Sequence, residues 1–277
     1  MSQPITPAPR LSLEDGATIP QLGYGLYRVP PSDTARLCRD AIDIGYRHLD
    51  TAAFYGNEEA VGEAVRDAPV PREELFVTSK VWKDDNGYDT TLRAFERSMA
   101  LLALDRLDLY LIHWPVPSTD RYVDTWRALI RLQQEGRVRS IGVANFHAHH
   151  IERIVAETGV TPVVNQVELH PWLPQTELRE FDERHDIRTE AWSPLARGRI
   201  LGTPLLDDLA DKHGRTPAQI VLRWHVEFGN IVIPKASSPE RLRENLDVFD
   251  FALDADDLAA IASLETGERT GRDPDLD

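Results

Sequence analysis

Short apolar runs and amphipathic helical patterns alternate along almost the whole chain. The first pair is QLGYGLYRV followed by DTARLCRDAIDIG, and the last is NIVIPKA followed by PERLRENLDVF. Several runs are apolar on both sides, which is typical of parallel strands buried under helices. The helical segments repeat apolar residues at intervals of three and four, as Val123, Trp126 and Ile130 do. Eight such strand–helix units predict an α/β fold, a (β/α)8 TIM barrel.

A few segments lie outside the eight units. Residues 10–22 contain an Asp15-Gly16 turn between short alternating runs, which predicts a β-hairpin that plugs the bottom of the barrel. TPAQIVLRWHVEFG and DADDLAAIASLE predict additional helices toward the C-terminus. The polar residues 266–277 predict a mobile loop. Because the sequence contains no linker, residues 1–277 are expected to form a single barrel domain.

The charge of the chain restricts its partners. With a formal net charge of −15 and a pI near 5.0, the surface repels nucleic acids and anionic membranes, so a small-molecule substrate is the expected partner. No stretch approaches membrane-spanning length, and MSQPITPAPR at the N-terminus lacks an apolar signal core, which predicts a cytoplasmic protein. The sequence contains no long apolar stretch that a partner chain would have to cover, so a monomer is expected. The single cysteine, Cys38, lies on the apolar face of a helical pattern and should be buried.

Ionisable side chains lie at the ends of three consecutive predicted strands. Asp50 ends HLD, Lys80 lies in LFVTSKVW, and His113 ends LDLYLIH. Tyr55 comes from the loop after the first of these strands. In a TIM barrel the catalytic groups occupy the C-terminal ends of the strands. A single lysine at a strand end is more often structural, and a lone histidine more often belongs to the core. Their occurrence on adjacent strands predicts a catalytic site.

The residue types predict a site that donates a proton. A phenol is a poor acid at neutral pH, and a nearby ammonium favours the phenolate and lowers the pKa. Asp50 is therefore expected to hold Lys80, and Lys80 to tune Tyr55. His113 is expected to hydrogen-bond the oxygen that is being protonated. Such a site suits the reduction of a carbonyl group with hydride from a cofactor, and no metal is expected.

The sequence lacks the common dinucleotide-binding loops. GYG at residues 23–25 is not followed by the third glycine of the Rossmann fingerprint, and no Walker loop occurs. The candidate for phosphate is PKASSPERLREN, in which Ser238 caps a predicted helix that has Pro239 at its first position. Lys235 and Arg241 add positive charge there, where free N–H groups suit a phosphate. Taken alone, this pattern fits an ordinary capped surface helix equally well.

Aromatic residues follow several of the predicted strand ends. They are Tyr27, Phe54, Trp82 and Trp114. Scattered aromatic residues usually belong to the core, but Trp82 directly follows SKV and Trp114 directly follows His113. We therefore expect these side chains to form, with His113, the wall of a substrate pocket. The loop after Trp114 is short, which predicts an open and tolerant pocket.

The motifs together resemble the aldo-keto reductase family over essentially the whole chain. The matching blocks include GYRHLDTAAFYGNEEAVG, VTSKVW, LYLIHWP, VNQVELHP, AWSPLARG and IPKASSPERLRENLDVFDF, in the order in which the family has them. The chain is most similar to the bacterial 2,5-diketo-gluconate reductase type. The resemblance implies an NADP-dependent oxidoreductase that reduces aldehydes or ketones to alcohols. It places the catalytic tetrad on Asp50, Tyr55, Lys80 and His113.

The resemblance also implies how NADP(H) is bound at its adenosine end. Lys235, Ser238 and Arg241 would contact the 2′-phosphate, and Glu244 and Asn245 would lie near the adenine. Further cofactor contacts, several of them near the pyrophosphate, are implied at Arg28, Ser193, Leu195, Arg197 and Ser237.

At the nicotinamide end the resemblance assigns three residues. Trp192 matches the aromatic residue that stacks on the nicotinamide, and Asn145 and Gln166 match the pair that hydrogen-bonds its carboxamide. Two positions depart from the family pattern. Ala144 replaces a usual serine, which removes a carboxamide contact, and Ala236 replaces a serine that often assists at the 2′-phosphate. The second departure weakens the expected preference for NADP.

Two other functions fit parts of the sequence. The segment HAHH, His147 to His150, has the H-x-H spacing of metal-dependent barrel hydrolases, although polar histidines that open a helix are commoner. A regulatory or sensing module of the same fold that binds NADP with little turnover is the alternative function. All four positions of the tetrad are filled, which argues against an inactive module. No G-x-S-x-G motif supports a serine hydrolase.

Overall fold

The computed structural model describes residues 6–276, so Met1–Ile5 of the N-terminal segment and Asp277 of the predicted C-terminal loop lie outside it. Ten strands occur in this part of the chain. Two form an antiparallel hairpin, and the other eight form one parallel sheet in which sequence neighbours are paired. The strands are β1 (Arg10–Ser12), β2 (Thr18–Pro20), β3 (Tyr24–Gly25), β4 (His48–Asp50), β5 (Phe76–Val81), β6 (Leu107–Ile112), β7 (Val138–Ala144), β8 (Val164–Glu168), β9 (Arg188–Trp192) and β10 (Ile231–Val232).

The parallel sheet closes on itself between its first and last strands. Leu22, just before β3, forms a parallel bridge with Val232 of β10. The backbone N–H of Gly23 donates to the oxygen of Val232 at 2.9 Å, and the N–H of Val232 donates to the oxygen of Gln21 at 2.9 Å. The predicted TIM barrel is therefore confirmed.

Helices follow every strand of the barrel. Each predicted strand–helix unit is present, and two further helices lie near the C-terminus, α8 before β10 and α10 after the last unit. The helices are α1 (Pro31–Ile44), α2 (Glu58–Arg66), α3 (Tyr88–Leu102), α4 (Tyr122–Gln134), α5 (Ala148–Thr158), α6 (Thr176–Arg184), α7 (Pro204–His213), α8 (Pro217–Glu227), α9 (Pro239–Leu246) and α10 (Ala255–Ala262). None of these helices is long and apolar enough to cross a membrane.

The hairpin of β1 and β2 covers the lower end of the barrel. Ile19 and Leu13 are buried in a cluster with Phe76 and Ile231, which begin β5 and β10. The hairpin therefore seals the interior at the N-terminal ends of the strands, as the sequence predicts. The opposite rim, where the strands end, remains free for polar side chains. Cys38 is buried on α1, also as predicted.

Candidate active site

Four polar side chains meet at the C-terminal rim of the barrel. Asp50 is the last residue of β4, Lys80 is the last but one of β5, and His113 directly follows β6. Tyr55 ends the short 3-10 turn Ala53–Tyr55 that follows β4. Because these strands are adjacent and parallel, their ends lie side by side, and the four residues predicted from the sequence come together.

The ammonium group of Lys80 lies at the centre of this group. Lys80 is fully buried, and its Nζ donates to Oδ1 and Oδ2 of Asp50 at 2.7 and 2.8 Å. It also donates to the backbone oxygen of Thr51 at 2.9 Å. The hydroxyl oxygen of Tyr55 lies 3.5 Å from the same nitrogen. The two buried charges compensate each other, and the phenol is the next polar group within reach.

The electrostatics of Tyr55 differ from the sequence-based expectation. The pKa of its phenol is raised well above the usual value of 10.0, because burial disfavours the phenolate and the carboxylate of Asp50 repels it. The expected lowering of this pKa by Lys80 is not found, since Asp50 lies against the same ammonium and burial outweighs the remaining attraction. The phenol is therefore held in its protonated form, which is the form that can act as an acid.

His113 is a neutral ring at the wall of the site. Burial and the nearby charge of Lys80 lower the pKa of His113 well below its usual range. The ring stands edge-on to Tyr55, with centroids 5.7 Å apart, and edge-on to Trp82 at 5.1 Å. A neutral imidazole carries a single N–H, so it can hydrogen-bond a substrate oxygen without adding positive charge.

The aromatic residues predicted for the pocket surround this point. The rings of Phe54 and Trp82 are stacked at 3.8 Å, and Tyr27 lies 5.2 Å from the ring of Tyr55. Tyr27 is 40% exposed and Phe54 is 51% exposed, so these rings form an open mouth rather than part of the core. Trp114 also lines the cavity.

A cavity of about 1210 Å³ extends from this mouth to the start of α9. Its walls include three tetrad residues and twelve of the thirteen residues predicted to bind the cofactor. Lys80 lies beneath the surface rather than in the wall, and Ser238 lies outside the lining. The lining residues that the sequence predicted for the cofactor are Arg28, Asn145, Gln166, Trp192, Ser193, Leu195, Arg197, Lys235, Ser237, Arg241, Glu244 and Asn245.

Asn145 and Trp192 are fixed by each other at the centre of the cavity. The indole N–H of Trp192 donates to Oδ1 of Asn145 at 2.9 Å. Nδ2 of Asn145 donates to the backbone oxygen of His113, also at 2.9 Å. These bonds hold the flat face of an indole beside the tetrad, where a planar ring can stack on it.

Gln166 lies deeper, between two carboxyl groups. Its Nε2 donates to Oδ2 of Asp50 and to Oε2 of Glu190, each at 2.9 Å. Both donors are used by the protein, so the amide oxygen is the group that Gln166 offers to a ligand. Ala144 pairs with Gln166 in the strand register and contributes only a methyl group. The side chains present fit a carboxamide whose N–H2 needs an acceptor.

The other end of the cavity is cationic. Ser238 caps α9, and its Oγ accepts the backbone N–H of Arg241 at 3.4 Å. Arg241 and Lys235 are exposed, and Nζ of Lys235 donates to the backbone oxygen of Arg28 at 3.0 Å. In a chain of net charge −15, this cluster of cations and helix N–H groups fits a phosphate. Ala236, at the same loop, is buried and offers no hydroxyl.

Comparison with known proteins identifies this arrangement. Residues 20–266 match the Aldo/keto reductase family. The chain belongs to the aldo/keto reductase family. An aldo-keto reductase of Mycolicibacterium smegmatis is 52% identical over 96% of this chain and 97% of its own length. Methylglyoxal reductase DkgA of Escherichia coli K12 is 50% identical over 96% of each chain. These matches confirm the resemblance that the motifs indicated.

Solved structures of aldo/keto reductases agree with the fold. A mutant of Gox0644 in complex with NADPH superposes with a TM-score of 0.94 at 52% identity, and the match covers 98% of this chain and 99% of that one. The chain is therefore an oxidoreductase of the aldo/keto reductase type.

The C-terminal segment of this aldo/keto reductase contributes a part of the cavity that the sequence did not predict. The buried carboxylate of Glu168 accepts the backbone N–H of Thr270 at 2.6 Å and that of Gly271 at 2.9 Å. A Cβ atom on Gly271 would lie 2.5 Å from the ring of Trp192, so only glycine fits this approach. The segment lines the cavity with Thr270, Gly271, Arg272, Pro274 and Leu276. Its mobility stays a prediction.

The buried polar layer around the tetrad was also missed. Glu190 is fully buried on β9. In the sequence it lies within TEAW, a pattern that predicted a strand but no buried carboxyl group. Oγ1 of Thr51 donates to Oδ1 of Asn57 at 2.6 Å, and Nδ2 of Asn57 donates to the backbone oxygen of Leu26 at 3.1 Å. These bonds tie the loop that carries Tyr55 to the loop after β3. Glu190 was detectable as a carboxyl at the inward-facing position two residues before Trp192.

The histidines of HAHH meet the C-terminal segment. His149 and His150 each place Nε2 at 3.2 Å from Oδ1 of Asp275, and His147 places Nε2 at 3.3 Å from Oδ1 of Asp273. The backbone N–H of His147 donates to Nδ1 of His150 at 3.1 Å. In the neutral ring of His150 the proton therefore lies on Nε2, on the side of Asp275, and His149, His150 and Asp275 together form a group whose ligand atoms lie close enough to hold a metal ion. The absence of a metal stays a prediction.

Proposed function

We propose that this protein reduces aldehydes and ketones to alcohols, with NADPH as the hydride donor and Tyr55 as the proton donor. The observation that carries the proposal is the position of the Tyr55 hydroxyl, 3.5 Å from the buried ammonium of Lys80 and at the mouth of a cavity long enough for a dinucleotide. When bound, NADPH supplies a hydride to the carbonyl carbon. The residues of the chain orient the carbonyl group and supply the proton.

Tyr55 is the acid in this proposal. As hydride arrives, negative charge develops on the carbonyl oxygen, and the phenol donates its proton to that oxygen. The phenolate that remains is stabilised by Lys80, so the ammonium contributes after the proton leaves rather than by lowering the pKa beforehand. Asp50 keeps the ammonium in place with two hydrogen bonds.

His113 orients the carbonyl oxygen. The ring is neutral, so its contribution is one N–H hydrogen bond directed at the same oxygen that Tyr55 protonates. The edge-on packing of His113 against Tyr55 and Trp82 fixes the direction of that bond. The aromatic rings of the mouth cover the apolar part of the substrate.

The residues around the cavity position the cofactor NADP(H). Trp192 would stack on the nicotinamide, and the oxygen of Gln166 would accept from its carboxamide, together with Asn145. At the other end, Lys235 and Arg241 would contact the 2′-phosphate, with Ser238 holding the start of α9 in shape. Glu244 and Asn245 would lie beside the adenine. The presence of cations at this end favours NADPH over NADH.

The substrate is a small carbonyl compound. The relative from Escherichia coli is named a methylglyoxal reductase, and the open aromatic mouth of this chain suits small aldehydes and dicarbonyls. We propose methylglyoxal as the first compound to test, followed by other aldehydes, α-keto esters and diketo sugars.

The proposal is tested by measuring NADPH oxidation with this panel for the wild type and for Tyr55→Phe. General acid catalysis contributes about 10²–10⁴-fold, so kcat should fall by at least about 10² when the hydroxyl is removed. The dissociation constant of NADPH should hardly change, because the ring remains. A Tyr55→Phe variant with near-normal turnover would contradict the assignment. Tight NADPH binding by the wild type without turnover of any compound would favour the sensing module instead.

A further inference from the structure

Glu190 is a buried carboxyl group that the tetrad chemistry leaves unexplained. It pairs with Gln166 in the register of β8 and β9, and both side chains point into the barrel. Its Oε2 accepts one N–H of the Gln166 amide at 2.9 Å, while the other N–H of that amide goes to Asp50. The amide of Gln166 is thus held between two carboxyl groups.

No cation neutralises Glu190. The donors of Lys80 are directed at Asp50 and Thr51. Nε2 of His48 lies 3.8 Å from Oε1 of Glu190, but burial lowers the pKa of His48 to about 3, so that ring is neutral. Oε1 of Glu190 has no hydrogen-bond partner in residues 6–276. A carboxylate here would be an unpaired buried charge, which is strongly disfavoured.

A neutral acid avoids this unpaired charge, although an O–H on Oε1 has no acceptor within hydrogen-bond distance in residues 6–276, with Nε2 of His48 3.8 Å away. Burial and the neighbouring carboxylate of Asp50 raise the pKa of Glu190 to about 8. A carboxylic acid at this position still accepts the Gln166 N–H through its carbonyl oxygen. It does so without placing a second negative charge beside the single ammonium of the site.

We propose that Glu190 is a positioning residue which fixes the amide of Gln166 so that only its oxygen faces the nicotinamide carboxamide. The role rests on the proposed function, because it assumes that the cofactor places its carboxamide at Gln166. Without the Oε2 acceptor, one amide N–H of Gln166 has no partner, and only the bond to Asp50 still restrains the orientation of the amide. The amide could then present an N–H toward the N–H2 of the carboxamide.

The proposal predicts a pH dependence of cofactor binding. When Glu190 ionises, its carboxylate accepts the Gln166 N–H more strongly and adds a negative charge near the position proposed for the cationic nicotinamide ring of NADP+. The other titratable groups that face Glu190 are Asp50 and His48 on β4, Lys80 on β5, and Tyr55 on the turn after β4. His48 is neutral and Tyr55 is protonated throughout the range from pH 7 to 9, because burial shifts both pKa values out of it.

The first test compares Glu190→Met with the wild type by titrating tryptophan fluorescence with three ligands. NADP+ has the carboxamide, its 3-acetylpyridine analogue lacks the amide N–H2, and 2′,5′-ADP lacks the whole nicotinamide. The variant should bind NADP+ about three- to tenfold more weakly, as the loss of one hydrogen bond predicts. It should bind the analogue and 2′,5′-ADP as the wild type does. Equal weakening for NADP+ and the analogue, or no weakening for either, would overturn the proposal.

The second test uses Glu190→Gln, which keeps a neutral acceptor and the size of the side chain. This variant should bind NADP+ like the wild type at pH 7. Above about pH 8 the affinity of the wild type for NADP+ should therefore rise, whereas that of Glu190→Gln should stay level. The affinity for 2′,5′-ADP serves as the control for titration elsewhere. Parallel pH profiles in wild type and Glu190→Gln would overturn the proposal even if Glu190→Met did not fold.

These results separate the inference from the proposed function. Turnover of carbonyl compounds by the wild type tests the function itself. Equal binding of NADP+ and the acetylpyridine analogue by the wild type would show that Gln166 does not hold the carboxamide, which is a failure of the cofactor placement. A failure confined to the Glu190 variants would leave both of those conclusions intact.

Discussion

The buried ammonium of Lys80 supports two different properties of the molecule. It neutralises Asp50 inside the barrel, and it is the cation nearest to the Tyr55 hydroxyl. The first role concerns stability, because either charge alone would be costly at this depth. In the proposed mechanism the second role concerns catalysis, because the phenolate forms only after the proton is transferred. A substitution at Lys80 therefore affects both, and the two effects can be measured separately.

We predict that Lys80→Met lowers activity and stability together. Methionine keeps the length of the side chain but leaves the buried carboxylate of Asp50 without its cation, which costs about 3–5 kcal/mol. Turnover should fall because the phenolate of Tyr55 loses its cation. Chemical denaturation measures the first effect and NADPH oxidation the second. Arg36→Met, which removes the surface ion pairs with Asp33 and Asp40, is the control and should cost much less. Retained activity with reduced stability would mean that Lys80 is only structural.

At the scale of elements, the start of α9 is expected to set the cofactor preference. The helix begins with a serine cap and a proline, and its first turn carries Arg241 at the cavity wall. Arg243 lies two residues further along the same helix, is exposed, and does not line the cavity. The two arginines therefore form a matched pair that differs in access to the phosphate.

We predict that Arg241→Ala weakens NADPH binding about tenfold and leaves NADH binding nearly unchanged. A charge-assisted hydrogen bond to the 2′-phosphate accounts for this difference, and NADH has no phosphate there. Arg243→Ala should leave both affinities at their wild-type values. Fluorescence titration with both dinucleotides measures the effect. Equal losses for NADPH and NADH in Arg241→Ala would place that residue away from the 2′-phosphate.

The C-terminal segment shows how one element completes a site built by others. Its backbone reaches Glu168 on β8, and Gly271 lies against Trp192 on β9. Glu168 pairs with Trp192 in the strand register. The carboxylate that holds the segment and the indole that the segment contacts therefore lie at the same height in the barrel. The segment therefore forms one wall of the cavity through the backbone N–H groups of Thr270 and Gly271, and the hydroxyl of Thr270 adds a further bond to Glu168.

For the whole molecule, buried titratable groups predict a stability maximum near pH 6. In the unfolded chain the histidines become protonated below about pH 6.5. In the folded protein burial lowers the pKa of His48 and His225 to about 3 and that of His150 to about 4, so these rings stay neutral there. Stability is therefore lost as the pH falls. Burial raises the pKa of Asp182 to about 7 and that of Glu190 to about 8, so these acids stay neutral only in the fold. Stability is lost as the pH rises toward 8.

Melting temperatures measured from pH 4 to 9 test this prediction. Between pH 7 and 8 the free energy of unfolding should fall by about 1 kcal/mol per pH unit, because unfolding releases about one proton in this range. Glu190→Gln removes one of these two acids with a raised pKa. The loss of stability above pH 7 should therefore be smaller, and the loss of stability below pH 6 should be unchanged. A maximum at pH 8 or above would contradict the prediction.

Much of this architecture follows from local patterns in the sequence. Apolar runs that alternate with helical periodicity predict the barrel, since strand and helix repeats are properties of neighbouring residues. The topology of a barrel then places Asp50, Lys80 and His113 on one rim, because parallel strands end on the same side. The position of the tetrad could therefore be inferred before any contact was known.

What the sequence could not determine depends on contacts between distant residues. Whether Lys80 lowers the pKa of Tyr55 depends on burial and on Asp50, and both are properties of the packed barrel. The attachment of Thr270 to Glu168 joins positions 102 residues apart. The neutral state of Glu190 follows from its burial and from the nearby carboxylate of Asp50, which together raise its pKa. The sequence itself determined the fold and the location of the site. Only the tertiary structure decided the charge states and the last wall of the cavity, because desolvation and long-range packing have no local signature.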